Sequence, residues 1–281
     1  MKRFFRHIKN LILKIGRIMT NQILSIESKK IPIIVTSVYF MVFAYVSFFH
    51  HNYWFESDGI FYLNWGNEIL RGNGENVVLT NAQAGGPIIY AYLTSIFDDG
   101  FIVLKSIALL GSTGIVFLSY FIAKNIFNSK IAIVVLLFFA FTSQLGLLSI
   151  LAFNELLVFF SIFFSLYFIT KKEIKPLDIL IVGIALGFAY NIRFQALIVF
   201  ISFFIFLLIR DKKIRVNSSH VIIMTVAFFI AASPILVYNY TTHGVITDTD
   251  LAFYLSLGAE YSTEEWKNNL MGMNQDNVNT T

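Results

Sequence analysis

Two acidic side chains follow the first long apolar run of the chain, in the segment Glu56-Ser57-Asp58, and an aromatic stretch from Gly59 to Trp65 comes directly after them. Ionisable groups next to a run of membrane-spanning length are costly to keep and are therefore candidates for chemistry. The carboxylate of Asp58 also suits a helix N-cap, where it would accept the free N–H groups of the first turn. Both roles stay open for Asp58. Glu56 is expected to be a solvated loop acid, with a metal-binding role as the alternative.

The composition is that of a polytopic membrane protein. Of the 281 residues, 57% are hydrophobic, only 14% are charged, and 31 are phenylalanine. A soluble domain could not bury this much apolar surface, whereas a bilayer removes the need to bury it. The absence of cysteine excludes disulfides and thiolate metal sites. We therefore predict an all-α membrane fold.

Seven apolar runs predict about seven transmembrane helices, which place the two termini on opposite sides. Under this arrangement 17 of the 21 basic residues fall in segments on the N-terminal side. The positive-inside rule makes that side cytoplasmic, so we predict a cell-membrane protein with its C-terminus outside. The runs lie at about 32–49, 101–123, 131–150, 155–170, 177–190, 196–209 and 219–238.

Three regions follow from this threading: a basic amphipathic segment at 1–31, a membrane module at 32–240 and an outer segment at 241–281. The net charge of +4 could suggest a nucleic-acid partner. Because the basic residues lie beside the predicted membrane surface, we instead predict contact with anionic membrane lipids and no nucleic-acid binding.

The first outer loop, at about 50–100, is long for a connection and is expected to be structured. Within it Tyr62, Trp65 and Ile69 gather with Phe61 on one face of a helix that starts near Asp58, and polar residues occupy the opposite face. This pattern predicts an interfacial helix that lies in the membrane plane.

The fifth and sixth apolar runs are short. Residues 177–209 number 33, whereas two full spans need about 40. We therefore predict a helical hairpin whose outer turn, 191–195, lies below the membrane surface. Such a turn is tolerated only where it faces protein or a watery cavity, so a recess is expected there. Its Arg193 either snorkels to lipid headgroups or binds an anion.

Polar side chains from four separate segments collect on the predicted outer face. The cytoplasmic loops offer only short, lysine-rich connections. This asymmetry favours chemistry at the outer face over a transport path, which would need polar groups through the full depth of the bilayer. Besides the two acids of the first loop, the candidate substrate-binding residues are Asn154, Glu155, Asn191, Arg193, Tyr240 and His243.

Several of these residues have structural alternatives. Glu155 begins the fourth run, where the helix dipole favours a negative charge by about 0.3–1 kcal/mol. Alternatively, Glu155 and Asn154 approach Asp58 across the recess and position an acceptor or a divalent cation, for which Glu56, Asp58 and Glu155 are the candidate ligands. Tyr240 and His243 either line the site or are merely interfacial.

The order and common sidedness of several short motifs resemble the integral-membrane glycosyltransferases of the GT-C superfamily. The branch with the greatest resemblance comprises the protein mannosyltransferases that use dolichyl-phosphate mannose, together with bacterial lipid A aminoarabinose transferases. The motifs are Ser57 to Tyr62, the helix start Gly86 to Tyr90, Asn154-Glu155, and Ser233-Pro234 followed by Tyr238-Asn239-Tyr240.

This resemblance implies a shared module of seven helices and a catalytic aspartate in the first outer loop, which is Asp58 here. It implies transfer of a sugar from a polyprenyl-phosphate donor to a lipid, glycan or protein acceptor, with inversion. Asp58 would be the general base, and Arg193 would bind the departing lipid phosphate. No phosphate-binding glycine loop follows a strand pattern, which disfavours a nucleotide-sugar donor.

Members of that superfamily continue with further helices beyond the seven. We therefore expect this chain, which ends in the polar segment 261–281, to be a short or truncated relative. The alternative function is a non-catalytic membrane subunit or a partner in the translocation of lipid-linked sugars.

Overall fold

The computed structural model describes residues 30–50, 57–73, 84–153, 155–210 and 214–243. Within these ranges the regular secondary structure is entirely helical, as predicted. The helices are α1 (Lys30–Tyr45, continued by a π-helical turn, Val46–His50), α2 (Ser57–Leu70), α3 (Gly85–Phe97), α4 (Gly100–Ile126), α5 (Ser129–Phe141), α6 (Ser143–Ile150), α7 (Glu155–Ile169), α8 (Pro176–Ile192), α9 (Ala196–Arg210) and α10 (Ile214–His243).

Each predicted apolar run coincides with one helix or, for 131–150, with the pair α5 and α6. That pair is bent by 47°, and the bend lies at Thr142, whose backbone is extended. Among the described residues three helices are long and apolar enough to cross a membrane, and the bent pair is a fourth candidate. The part of the chain that the structure describes is therefore all-α, with helices of membrane-spanning length and composition. The three helices are Lys30–His50, Gly100–Ile126 and Ser218–Thr242.

Helices α7, α8 and α9 are apolar but short, with 15, 17 and 15 residues. At 1.5 Å per residue they reach about 22–26 Å, less than the roughly 30 Å of a hydrocarbon core. The predicted count of seven crossings therefore stays a prediction.

Helices α8 and α10 approach each other closely because α8 presents two glycines on one face. A Cβ on Gly183 would lie 2.5 Å from the Met224 carbonyl oxygen, and a Cβ on Gly187 would lie 2.5 Å from the Phe228 carbonyl oxygen. Small residues spaced four apart permit this backbone contact between apolar helices. The contact holds the middle of α8 against the middle of α10.

Helix α2 packs its aromatic side chains into the protein. Tyr62 and Trp65 are 5% and 3% exposed, whereas Ile60 and Phe61 are exposed. The crossing with α3 is close, since a Cβ on Gly66 would collide with the carbonyl of Pro87. The described parts of the first loop thus contain two helices, α2 and α3, but two of the side chains chosen for its membrane face, Tyr62 and Trp65, are buried among helices. The position of α2 in the membrane plane stays a prediction.

Candidate active site

An ion pair joins two of the predicted site residues at one end of the bundle. Arg193 follows the last residue of α8 with extended backbone, and its Nη2 atom donates to Oε1 of Glu155, the first residue of α7. The side chains of Arg193 and Glu155 are 13% and 20% exposed. The sequence predicted both residues individually, and the structure brings them into contact.

The connection between α7 and α8 explains this contact. The two helices pack against each other and are joined by the short segment 170–175, so the start of α7 lies beside the end of α8. At the opposite end of this hairpin, Lys171 Nζ lies 2.7 Å from Asp178 Oδ1, and the backbone N–H of Lys175 donates to Asp178 Oδ2 at 2.9 Å. Each end of the hairpin is therefore closed by an ion pair.

Helix α2 reaches the same end of the bundle. The guanidinium carbon of Arg193 lies 5.7 Å from the ring centroid of Tyr62, a cation–π contact worth about 0.5–2 kcal/mol. Asp58 lies in the first turn of α2. A Cβ on its neighbour Gly59 would lie 3.8 Å from the carbonyl oxygen of Ala152, three residues before Glu155. The start of α2 and the ion pair thus share one end of the fold.

Two further buried polar atoms lie in this region. The Tyr90 hydroxyl and Glu155 Oε2 have no hydrogen-bond partner among the described residues, although Tyr90 is only 1% exposed. Burial raises the pKa of the Tyr90 phenol, the negative charge of Glu155 acts in the same direction, and the positive charge of Arg193 opposes them. Buried polar groups without partners are uncommon and need an explanation.

Tyr62 and Tyr90 were not predicted as site residues. A signal existed for Tyr62, which follows Asp58 by four residues and therefore shares its face of a helix. Tyr90 closes the Gly86–Tyr90 motif, but nothing in the sequence shows that it lies near Glu155, because that proximity depends on tertiary packing.

A cavity of about 310 Å³ opens beside the ion pair. Its polar end consists of Glu155, Arg193 and Gln195. The remaining wall is apolar and comes from one face of α7 and the facing side of α9. The apolar lining residues are Val158, Phe159, Ile162, Ala196 and Val199. Such a cavity suits an amphiphile with an anionic group at one end and a hydrocarbon chain at the other.

Asn191 links the end of α8 to α10. Its Nδ2 atom donates to the Ala231 carbonyl at 2.7 Å and to the Gly187 carbonyl at 2.9 Å, and its Oδ1 atom accepts from the Ile235 N–H at 3.2 Å. Ala231 and Ile235 are four apart, the spacing that an α-helix joins by its own hydrogen bond. The Asn191 amide is therefore bonded to the middle of α10.

Pro234 lies inside α10 between these two partners of Asn191 and cannot donate a hydrogen bond to the Ile230 carbonyl. The Ser233 hydroxyl donates to that carbonyl at 2.8 Å. Ser233 thus supplies a donor for the carbonyl that Pro234 cannot reach, and Asn191 bonds to α10 on either side of the proline. A direct contact between Asn191 and substrate stays a prediction.

The other predicted site residues are less defined. Tyr240 is 63% exposed and does not line the cavity. His243 is the last residue of α10, and its side chain, like that of Asp58, is not described. Glu56 and Asn154 lie outside the described residues. Within the described ranges no group of three or more His, Cys, Asp or Glu residues could hold a metal, so the predicted cation site, which includes Glu56, stays untested.

We expect Asn191→Ala to destabilise the protein by about 1–3 kcal/mol, because it leaves a buried carbonyl and N–H of α10 without a side-chain partner. Thermal unfolding of the purified protein in detergent measures the effect. Asn125→Ala is the matched control, since its amide also bridges helices but over longer distances, 3.3 Å to the Tyr167 carbonyl and 3.4 Å to Thr170 Oγ1. An Asn191 variant no less stable than the control would contradict this role.

Comparison with known protein families identifies a family whose model covers most of the described helices. The model for dolichyl-phosphate-mannose-protein mannosyltransferases matches residues 85–238, which is more than half of the chain and runs from the start of α3 almost to the end of α10. The match includes Glu155, Asn191 and Arg193, whereas Asp58 precedes it. Comparisons with curated proteins and with solved structures give no match. The chain belongs to the dolichyl-phosphate-mannose-protein mannosyltransferase family of membrane glycosyltransferases.

Proposed function

We propose that this protein transfers a sugar from a polyprenyl-phosphate donor to a hydroxyl acceptor at the outer face of the cell membrane. The observation that carries the proposal is the cavity between α7 and α9, in which a partly buried cation, Arg193, lies at the end of an apolar wall. A lipid phosphate is complementary to this cavity, because it has an anionic group at the end of a hydrocarbon chain. Membership of the family supports the same kind of donor.

The phosphate of the donor would bind at Arg193. A guanidinium binds phosphate oxygens in a bidentate manner, and such charge-assisted hydrogen bonds are stronger than neutral ones. The first isoprene units would lie along Val158, Ile162 and Val199, where each buried methylene contributes about 0.8 kcal/mol. The remainder of the chain would extend into the bilayer.

A second cavity is less suited to a phosphate. It has a volume of about 370 Å³ and lies between α1, α5 and the start of α6, lined by Ile34, Tyr39, Phe43, Phe141 and neighbouring residues. No charged residue belongs to its lining. Because an unpaired phosphate is costly to place against an apolar wall, the smaller cavity with Arg193 is the better donor site.

The reaction would be a single displacement. The acceptor oxygen attacks the anomeric carbon and forms the new glycosidic bond, while the bond from that carbon to the phosphate oxygen breaks and leaves its electron pair on the phosphate. The acceptor proton passes to the carboxylate of Asp58. Displacement from the opposite side inverts the anomeric configuration. Arg193 offsets the charge that develops on the phosphate.

The placement of α2 supports this role for Asp58. Its neighbour Gly59 lies against Ala152, and Tyr62, one turn later, lies against Arg193. An acid in the first turn of α2 therefore lies at the end of the bundle where the phosphate would bind. In the proposal Asn154, Tyr240 and His243 are the residues that line the acceptor side.

We expect Arg193→Gln to reduce sugar transfer by about a hundredfold or more, the usual effect of removing one group that stabilises transition-state charge. Transfer is measured by incubating membranes with radiolabelled polyprenyl-phosphate sugars and following the label into lipid, glycan and protein. Arg71→Gln is the control, because Arg71 forms an exposed ion pair with Glu68 at 2.9 Å at the far end of α2. Equal activity of the two variants at equal protein amounts would rule out Arg193 as the phosphate-binding residue.

The Asp58→Asn substitution distinguishes a general-base role of Asp58 from a helix-capping role. Asparagine caps helices about as well as aspartate but cannot accept the acceptor proton, and general-base catalysis contributes about 10²–10⁴-fold. We therefore expect transfer to be lost while the protein still accumulates in membranes. The matched control is Asp99→Asn, since Asp99 caps α4 by accepting from the N–H groups of Phe101 and Ile102 at 2.9 and 3.0 Å. If Asp58→Asn retains as much activity as Asp99→Asn, Asp58 is not the base.

A further inference from the structure

We propose that Glu155 competes with the lipid phosphate for Arg193, so that it yields the guanidinium when the donor binds and takes it back as the product phosphate leaves. The inference rests on the proposed function and assigns to Glu155 a role in product release. Its starting point is the ion pair itself, in which the cation of the donor cavity is bonded to a carboxylate that lines the same cavity.

The two anions need the same donors. A carboxylate and a phosphate each present a pair of oxygens to the edge of a guanidinium. Arg193 and Glu155 are both partly buried and lie at the polar end of one cavity, so a phosphate that reaches this end meets a guanidinium that Glu155 already binds. Binding of the phosphate therefore requires Glu155 to give up its place.

In this proposal the Tyr90 hydroxyl is the second hydrogen-bond partner of Glu155. Its Oε2 atom and the Tyr90 hydroxyl are both buried, and each is without a hydrogen-bond partner among the described residues. Tyr90 belongs to the same buried cluster as Leu156, the residue after Glu155. A neutral tyrosine hydroxyl is a donor that a carboxylate accepts from readily. When phosphate occupies Arg193, Glu155 turns to the Tyr90 hydroxyl.

The charges of donor and product explain why a competitor is useful. The donor is a phosphodiester with one negative charge. The product is a phosphomonoester, whose second pKa near 6 gives it about −1.5 to −2 charges at pH 7. A lone guanidinium would therefore bind the product more tightly than the donor. A carboxylate that competes for the guanidinium weakens the binding of both and accelerates release, a step that often limits turnover.

The test is the binding of a polyprenyl phosphate, which is the product lipid itself, to the full chain in lipid nanodiscs. We expect Glu155→Gln to lower Kd by about tenfold, which corresponds to about 1.4 kcal/mol. Tyr90→Phe should raise Kd, because it removes the hydroxyl that would donate a hydrogen bond to Glu155 when the lipid phosphate is bound. The matched control is Asp178→Asn, which breaks the ion pair at the other end of the same hairpin and should leave Kd unchanged.

A double variant links the effect to the guanidinium. In an Arg193→Gln background, Glu155→Gln should give no further gain in affinity, because the competition no longer exists. If the Glu155→Gln variant unfolds too readily for a titration, Glu155→Asp keeps the charge on a shorter side chain and should tighten binding to a smaller extent. The affinity of the Glu155→Asp variant can also be compared with that of the wild type through the rise in unfolding temperature that the lipid phosphate causes in each protein.

The outcomes separate this inference from the proposed function. If Arg193→Gln loses binding but neither Glu155 variant tightens it, competition by Glu155 is wrong and the phosphate site at Arg193 stands. If Arg193→Gln binds the lipid phosphate as well as the wild type does, the phosphate does not bind at Arg193 and the proposed donor site is wrong as well. A tighter Asp178→Asn variant would show that loosening the hairpin, rather than freeing Arg193, raises affinity, and would overturn the inference.

Discussion

The site depends on the ion pair between Arg193 and Glu155, which closes one end of an apolar helical hairpin. Charges removed from water lose hydration, and their attraction offsets that cost only where the geometry is good. Separating the two side chains would leave each charge uncompensated, which is unfavourable. The ion pair therefore holds the start of α7 against the end of α8. The same pair places a cation at the polar end of a cavity whose other walls are hydrocarbon.

The rest of the bundle fixes the position of Arg193. Gly183 and Gly187 bring α8 into backbone contact with α10. Asn191, which precedes Arg193 by two residues, bonds to α10 near Pro234. On the other side the guanidinium lies over the buried ring of Tyr62. Three helices thus determine where one cation lies, and this rigidity is what a group that binds a phosphate in a fixed geometry requires.

The sequence predicted the helices, and it made Arg193 and Glu155 site candidates for a related reason, although it did not predict their ion pair. Apolar runs are long and unbroken, and a charge such as Arg193 or Glu155 stands out beside them. The crossing count was less predictable, because α7, α8 and α9 are too short to settle it by length. Helical periodicity separates apolar from polar faces but does not distinguish contact with lipid from contact with protein. It therefore could not predict the burial of Tyr62 and Trp65 or the location of Tyr90 near Glu155. The role of Asn191 as a substrate ligand stays a prediction, and its bonds to α10 were not predictable because their partners, Ala231 and Ile235, lie forty or more residues away in the chain.

The central claim is that the lipid phosphate binds in the cavity between α7 and α9. Photo-cross-linking tests it most directly, with a polyprenyl phosphate that carries a diazirine in its first isoprene unit and peptide mapping by mass spectrometry. We predict cross-links to the wall formed by Val158, Phe159, Ile162 and Val199, and competition by unlabelled polyprenyl phosphate. Competed cross-links confined to the larger apolar cavity around Ile34 and Phe141 would contradict the account.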